Sequence, residues 1–112
     1  MTGNKQWFED FKEINDGAQI YPGDDRIHQI KGCGKISIIL PNGTIRHIYN
    51  VMYVPGVTNN LISISMITYQ DLKVEFFKSN CYIKDLLDGM EIIATGIRTG
   101  GLYKLDVTPA PV

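Results

Sequence analysis

Only two cysteines, Cys33 and Cys81, occur in the 112 residues. They stand too far apart to supply the paired, closely spaced ligands of a structural zinc site. Two free, partly buried thiols are expected, as in proteins of reducing compartments. Long apolar runs are missing too. The stretch from Ile36 to Leu40 is interrupted by Ser37 and falls far short of the roughly 20 residues a membrane span requires. No membrane association is expected. The opening residues Met1-Thr2-Gly3-Asn4-Lys5 lack the charged-then-apolar order of a secretory leader, so a cytoplasmic or nuclear setting is the default. Charge of one sign is equally scarce: 11 Lys and Arg against 12 Asp and Glu leave a net charge of −1, with the signs interspersed. No basic stripe is there to neutralise phosphates, and nucleic-acid binding by this segment is not expected. Neither Gly32 to Gly34 nor Gly100-Gly101 has the spacing of a phosphate loop or a following Lys-Ser/Thr pair. No cofactor and no metal are expected.

What is present has the makeup of one globular domain with one modest core, at 44% hydrophobic and 21% charged residues. The organising stretch runs from Tyr49 through Val54, Pro55 and Gly56 to Asn60, Leu61 and Met66. Val51 and Tyr53 are strand formers. Pro55-Gly56 stops the ladder, because proline has no amide hydrogen and glycine allows positive φ. Thr58, Asn59 and Asn60 would then cap a short buried helix in which Leu61, Ile64 and Tyr69 recur at helical spacing. Pro55, Gly56, Asn60 and Leu61 are thus the expected corner joining sheet to core helix.

Around this corner the sequence reads as strands and turns. Trp7, Phe8, Phe11 and Ile14, spaced near three and four, predict a short helical anchor. Asn15-Asp16-Gly17 is a turn, and residues 18–21 and 26–30 form a hairpin across Pro22-Gly23-Asp24-Asp25. Lys31-Gly32-Cys33-Gly34 permits a bulge, a sharp bend or a mobile flap. Residues 35–40 and 44–54 pair across Pro41-Asn42-Gly43, where Asn-Gly predicts a type I′ turn. Residues 73–77 and 81–84 make another hairpin across Ser79-Asn80. Asp88-Gly89 turns again, residues 91–95 lead through Gly96 and Gly100-Gly101 to residues 102–105, and Pro109-Ala110-Pro111 ends in an extended tail. Seven or more short strands with regular turn signals predict an all-β fold, a small closed or partly closed barrel with one short helix. It would occupy residues 1–106 as a single domain, with 107–112 as the tail.

The order of these pieces resembles the protease region of Ty1/copia-type retrotransposon Pol polyproteins, a β-barrel domain of retropepsin-like lineage. Met1-Thr2-Gly3-Asn4 followed by a Phe-rich segment, Val54-Pro55-Gly56, and Asn60-Leu61-Ile62-Ser63-Ile64-Ser65 are similar to it. So are Val74 to Phe76, Cys81 to Asp85, Ile93 to Gly96 and Gly100 to Leu105. By this resemblance Lys31, Gly32, Cys33 and Gly34 look like the glycine-rich flap that folds over substrate, and glycines suit a loop that must open. The integrase zinc-binding segment that follows in such polyproteins is not in the sequence, which suggests a stand-alone or excised domain.

Proteases of this lineage hydrolyse peptides with two carboxylates, one from each subunit of a homodimer, that share a proton. Each subunit supplies Asp-[Ser/Thr]-Gly, placed in the family a few residues before the Met-Thr-Gly-Asn segment that here begins at Met1. No such motif occurs in the sequence, so no catalytic residue is assigned. Asp16-Gly17-Ala18 lacks the hydroxyl residue and reads as a turn. Asp24-Asp25 would point apart in a turn, and Asp71 and Asp85 have no neighbouring partner in sequence. His28 and His47 with Cys33 or Ser63 as nucleophile lack any local signature such as G-x-S-x-G. The expected function is a retrotransposon-derived, aspartic-protease-like domain that acts as a non-catalytic binding or dimerising module. Its partners would be a second copy or another protein or peptide. The alternative is a truncated part of an active aspartic endopeptidase that processes its own polyprotein.

Overall fold

The computed structural model describes residues 1–22 and 25–111. A 3-10 turn, Lys5–Trp7, leads into β1 (Phe8–Glu13), followed by the short strands β2 (Gln19–Ile20) and β3 (His28–Gln29) and the longer β4 (Gly32–Ile39) and β5 (Ile45–Tyr53). One helix, α1 (Ile64–Thr68), precedes β6 (Leu72–Phe76), β7 (Asn80–Asp85), β8 (Glu91–Thr99), β9 (Leu102–Leu105) and β10 (Thr108–Pro109). The class is all-β with one short helix, as the sequence implies. Among the described residues the strands form a four-stranded sheet around β4, a β2–β3 ribbon and the sheet β6-β7-β8-β9, and these are not closed into a barrel.

Two compact units divide the chain. The first comprises Met1–Ser37, His47–Ile62 and the described residues from Ala110 on; the second comprises Ile38–Arg46 and Ser63–Pro109. In the first unit the predicted N-terminal helix is instead strand β1, antiparallel to β4, with Phe8 opposite Ile36 and Lys12 opposite Cys33. The register shifts between Glu9 and Lys12, and Asp10 there has φ 52°. A bulge adds one residue to a strand, so side chains three apart come to share a face. Phe8 and Phe11 accordingly meet at 5.3 Å between ring centroids, and both stand edge-on to Tyr53. The apolar spacing of a helix is here the spacing of a bulged strand.

The bulge also explains the glycines of residues 31–34, which lie in or beside paired strand and not in a loop. A Cβ at Gly34 would sit 3.1 Å from the carbonyl oxygens of Glu9 and Asp10, and one at Gly32 would enter the Phe11 ring. The Asp16-Gly17 turn is as expected: Asp16 Oδ1 accepts the Ala18 amide, and Gly17 has φ 76°. The turn between β2 and β3 includes Gly23 and Asp24, which lie outside the described residues.

The second unit holds the core cluster Leu40, Leu72, Ile83, Ile93 and Ala94, with Ile38, Ile67, Val74, Leu105 and Val107 packed against it. Its sheet is a meander in chain order, with Val74 opposite Ile83 and Ile83 opposite Ala94. The β7–β8 register shifts between Ile83 and Lys84, so Ile93 is an extra residue and the adjacent Ile93 and Ala94 are both buried. The β4–β5 turn departs from type I′. Gly43 has positive φ but Asn42 does not, and Gly43 N–H donates to the Leu40 carbonyl. Pro41 fixes the φ of a type I turn at its position, leaving only Gly43 to reverse the twist. The helix is shorter than predicted, starts after Ser63 and buries none of its residues; Tyr69 is exposed. Residues 108–109 are not a free tail but pair with β4, Thr108 opposite Ile39 and Pro109 opposite Ile38.

Candidate functional site

Strand β5 ends at the expected corner, and Val54 there is fully buried. What covers it is the N-terminal segment. Thr2 bridges Tyr53 in parallel, its N–H donating to the Met52 carbonyl at 3.0 Å and its carbonyl accepting the Val54 N–H at 2.9 Å. Thr2 is 2% exposed, so its hydroxyl must find partners inside. Thr2 Oγ1 donates to Asn60 Oδ1 at 2.6 Å and accepts from the Asn4 backbone N–H at 3.1 Å, while Leu61 N–H donates to the Met1 carbonyl. Gly3 allows the approach, because a Cβ would lie 2.9 Å from the Val57 carbonyl oxygen. Two sequence landmarks 58 residues apart therefore form one clasp.

This clasp revises the corner. Asn60 and Leu61 precede the helix and hold the N-terminal segment, so Asn60 does not cap it; Ser63 occupies the cap position without a side-chain cap bond, its hydroxyl meeting that of Ser65. Pro55 and Gly56 form the turn as expected. Gly56 has φ 91°, and a Cβ there would sit 3.4 Å from Nδ1 of His28. Thr2 was not singled out by sequence. The Met-Thr-Gly-Asn string was its signal, but a buried threonine tied to a distant asparagine leaves no periodic trace.

A second polar cluster of the first unit joins β1, β4 and β5. Ser37 Oγ, on a buried residue, donates to Glu9 Oε1 at 2.9 Å and lies 2.7 Å from His47 Nδ1. Lys35 Nζ is 3.4 Å from carboxylate oxygens of both Glu9 and Asp10. The Ser37 hydrogen bond, with help from Lys35, holds the Glu9 carboxyl below its ordinary range against the opposing effect of desolvation. Desolvation on its own lowers the Lys35 ammonium, but Glu9 and Asp10 outweigh it and raise it.

Chemically this is a Glu-Ser-His order, with the carboxylate on the serine and not on the imidazole. The Ser37 proton is committed to Glu9, so His47 Nδ1–H donates to Ser37 and does not stand as its base. Nor do Glu9 and Asp10 resemble an acid dyad sharing a proton: the Lys35 ammonium stands 3.4 Å from a carboxylate oxygen of each. The other carboxylates singled out are placed separately. Asp71 is a turn residue with φ 59°, Asp85 pairs with Arg46 at 2.8 Å, and Asp24 lies outside the described residues. Cys33 is half-buried opposite Lys12; Cys81 is 2% exposed and burial pushes its thiol up. Both thiols are free. Among the described residues no group of three or more His, Cys, Asp or Glu side chains is arranged to hold a metal ion, and no helix is long and apolar enough to cross a membrane.

Compared with known proteins, residues 1–72 match the family described as Pol polyprotein, beta-barrel domain. No curated protein and no solved structure matches the chain.

Proposed function

We propose, from the premise that this chain belongs to the Pol polyprotein, beta-barrel domain family and is thus a retrotransposon Pol polyprotein region, that it acts as a non-catalytic protein-binding or self-associating module of aspartic-protease-like descent. The observation that carries this reading is a contrast within the matched region. The Met1 to Asn4 segment is built into the clasp with Asn60 and Leu61, yet the carboxylates that come together in this region, Glu9 and Asp10, do so on the Lys35 ammonium and not on each other.

Self-association fits strand β9, which ends the second unit's sheet and, among the described residues, pairs with β8 alone. An edge strand leaves backbone groups open to pairing with another chain. The protein is expected to show no pepstatin-sensitive peptide cleavage at acidic pH and a concentration-dependent monomer–dimer equilibrium in sedimentation velocity. Pepstatin-sensitive cleavage lost on Asp16→Asn would overturn the non-catalytic reading. A strictly monomeric species at every concentration, unchanged by Leu102→Lys, would overturn self-association.

A further inference from the structure

The sheet β6-β7-β8-β9 has one face on the core cluster, and its other face carries large apolar side chains into solvent. Strand alternation and register place Lys73, Glu75, Tyr82, Lys84, Ile92, Thr95, Ile97, Leu102 and Lys104 on the face away from the core-facing Val74, Ile83 and Ala94. A half-buried antiparallel sheet ordinarily alternates apolar-in with polar-out. Here Ile97 is 66% exposed, with Ile92, Leu102 and Phe77 each near half. Tyr82 bridges them, its ring 5.7 Å from Phe77, and its cross-strand partner Thr95 lies two residues from Ile97. Register makes Tyr82, Thr95, Ile97 and Leu102 neighbours on this face with Phe77 against Tyr82, an apolar surface of the kind that marks an interaction site.

The charges around the patch decide what it fits. Lys73 and Lys84 both reach Glu75, and Asp106 Oδ1 is taken by the Thr95 N–H. Lys104, directly opposite Ile97, forms no ion pair among the described residues, and Lys73 remains 46% exposed. Three lysines, Lys73, Lys84 and Lys104, thus share this face with two carboxylates, Glu75 and Asp106, and the lysine beside Ile97 is in no ion pair among the described residues. A second copy laid face to face would set this surplus of lysine against its own. The patch is also more aliphatic than aromatic, with Tyr82 turned edge-on to Phe77, so it offers little for base stacking.

We propose that the outward face of β6-β7-β8-β9 is a docking surface for a protein segment that presents apolar side chains flanked by carboxylates. Ile97 and Leu102 would receive the apolar side chains, and Lys104 and Lys73 the acids. This deepens the protein-binding reading, on which it rests. It also lies beyond residues 1–72, so the family match does not supply it.

The test is an NMR titration of the full chain with acetylated, amidated peptides of about eight residues, a common strand length. One peptide alternates glutamate with leucine, a second lysine with leucine, a third glutamate with serine; an oligothymidylate is the fourth probe. The glutamate-leucine peptide is expected to shift the amides of Tyr82, Thr95, Ile97 and Lys104 and to bind at least about tenfold more tightly than the other probes. Ile97→Ser should weaken it by about tenfold, and Lys104→Glu by roughly threefold, the scale of an exposed charge pair. Both positions face solvent, and unchanged shifts in the buried face would verify that the variants fold. Absence of any shift, equal binding of the lysine-leucine peptide, preference for the oligothymidylate, or indifference to Ile97→Ser would each overturn the proposal. If the peptide fails while the protein still dimerises through β9, the docking face is lost and the module reading stands.

Discussion

The two units hold themselves together by opposite means. In the second, strands β6 to β9 follow one another in chain order, each pairing with the next, so every contact in the sheet closes a short loop. The first depends on partners far apart in sequence: Thr2 with Asn60, Glu9 with Ser37, Lys31 with Tyr53. Local pairings form early and at small entropic cost, whereas distant ones must first close long loops. The first unit therefore relies on a few well-satisfied polar bonds and an aromatic trio, and the second on a continuous hydrophobic sheet.

The largest expected effect comes from emptying each core. Phe8→Ala should cost about 3–5 kcal/mol and Ile83→Ala about 2–5 kcal/mol in chemical denaturation. If the units differ as described, hydrogen exchange would speed mainly in β1 and β5 for the former and in β6 to β8 for the latter. Uniform acceleration across the chain in both variants would erase the distinction.

A smaller effect is expected at the clasp. Asn60→Ala leaves the buried Thr2 hydroxyl without its acceptor and should cost about 1–3 kcal/mol, while Ser63→Ala, at a helix cap that makes no side-chain bond, should cost less than about 0.5 kcal/mol. Thermal or urea denaturation of the two variants side by side checks the order. Equal losses would restore Asn60 to the role of a cap.

The smallest effect concerns acid. Glu9 is lowered from 4.5 in the folded protein, so its contribution is present above the unfolded value and is lost as pH falls through the folded one. Glu75 and Asp85 are lowered in the second unit as well, chiefly by the Lys84 hydrogen bond and by the Leu87 backbone N–H respectively. Acidification from about pH 6 to about pH 3 should thus weaken both units. Glu9→Gln should reduce the loss read from first-unit amides alone. An unchanged acid limb in that variant would mean the Glu9-Ser37 bond contributes nothing to stability.

The second unit was the more legible from sequence, because hairpins announce themselves locally. Ser79-Asn80, Asp88-Gly89 and Gly100-Gly101 mark turns that the structure contains, and alternation in residues 73–77 and 81–84 gives the pairing. Even there Ile93 and Ala94, adjacent and both buried, break the alternation through a bulge. In the first unit the bulge at Asp10 imitates helical spacing in Trp7, Phe8 and Phe11, and Thr58 to Asn60 imitate a helix start when the polar capacity of Asn60 is spent on Thr2. Pro109 suggested a free end, yet proline is tolerated at strand edges, and Ala110 N–H donates to the Ser37 carbonyl. The polar clusters left no periodic signal, since hydroxyls and amides find partners through the fold and not through spacing.

The bulge at Asp10 also sets a rule about chain length. A strand normally tolerates substitution better than a change in count, and here the extra residue is itself part of the count. Deleting one residue between Glu9 and Lys12 would restore a regular ladder, and the carbonyl oxygens of Glu9 and Asp10 that crowd Gly34 would withdraw. Inserting one would displace Lys12 and Glu13 from Cys33 and Gly32. Natural variation in length should therefore avoid this strand and collect in exposed turns such as residues 41–43, where a residue gained or lost alters no neighbour's face.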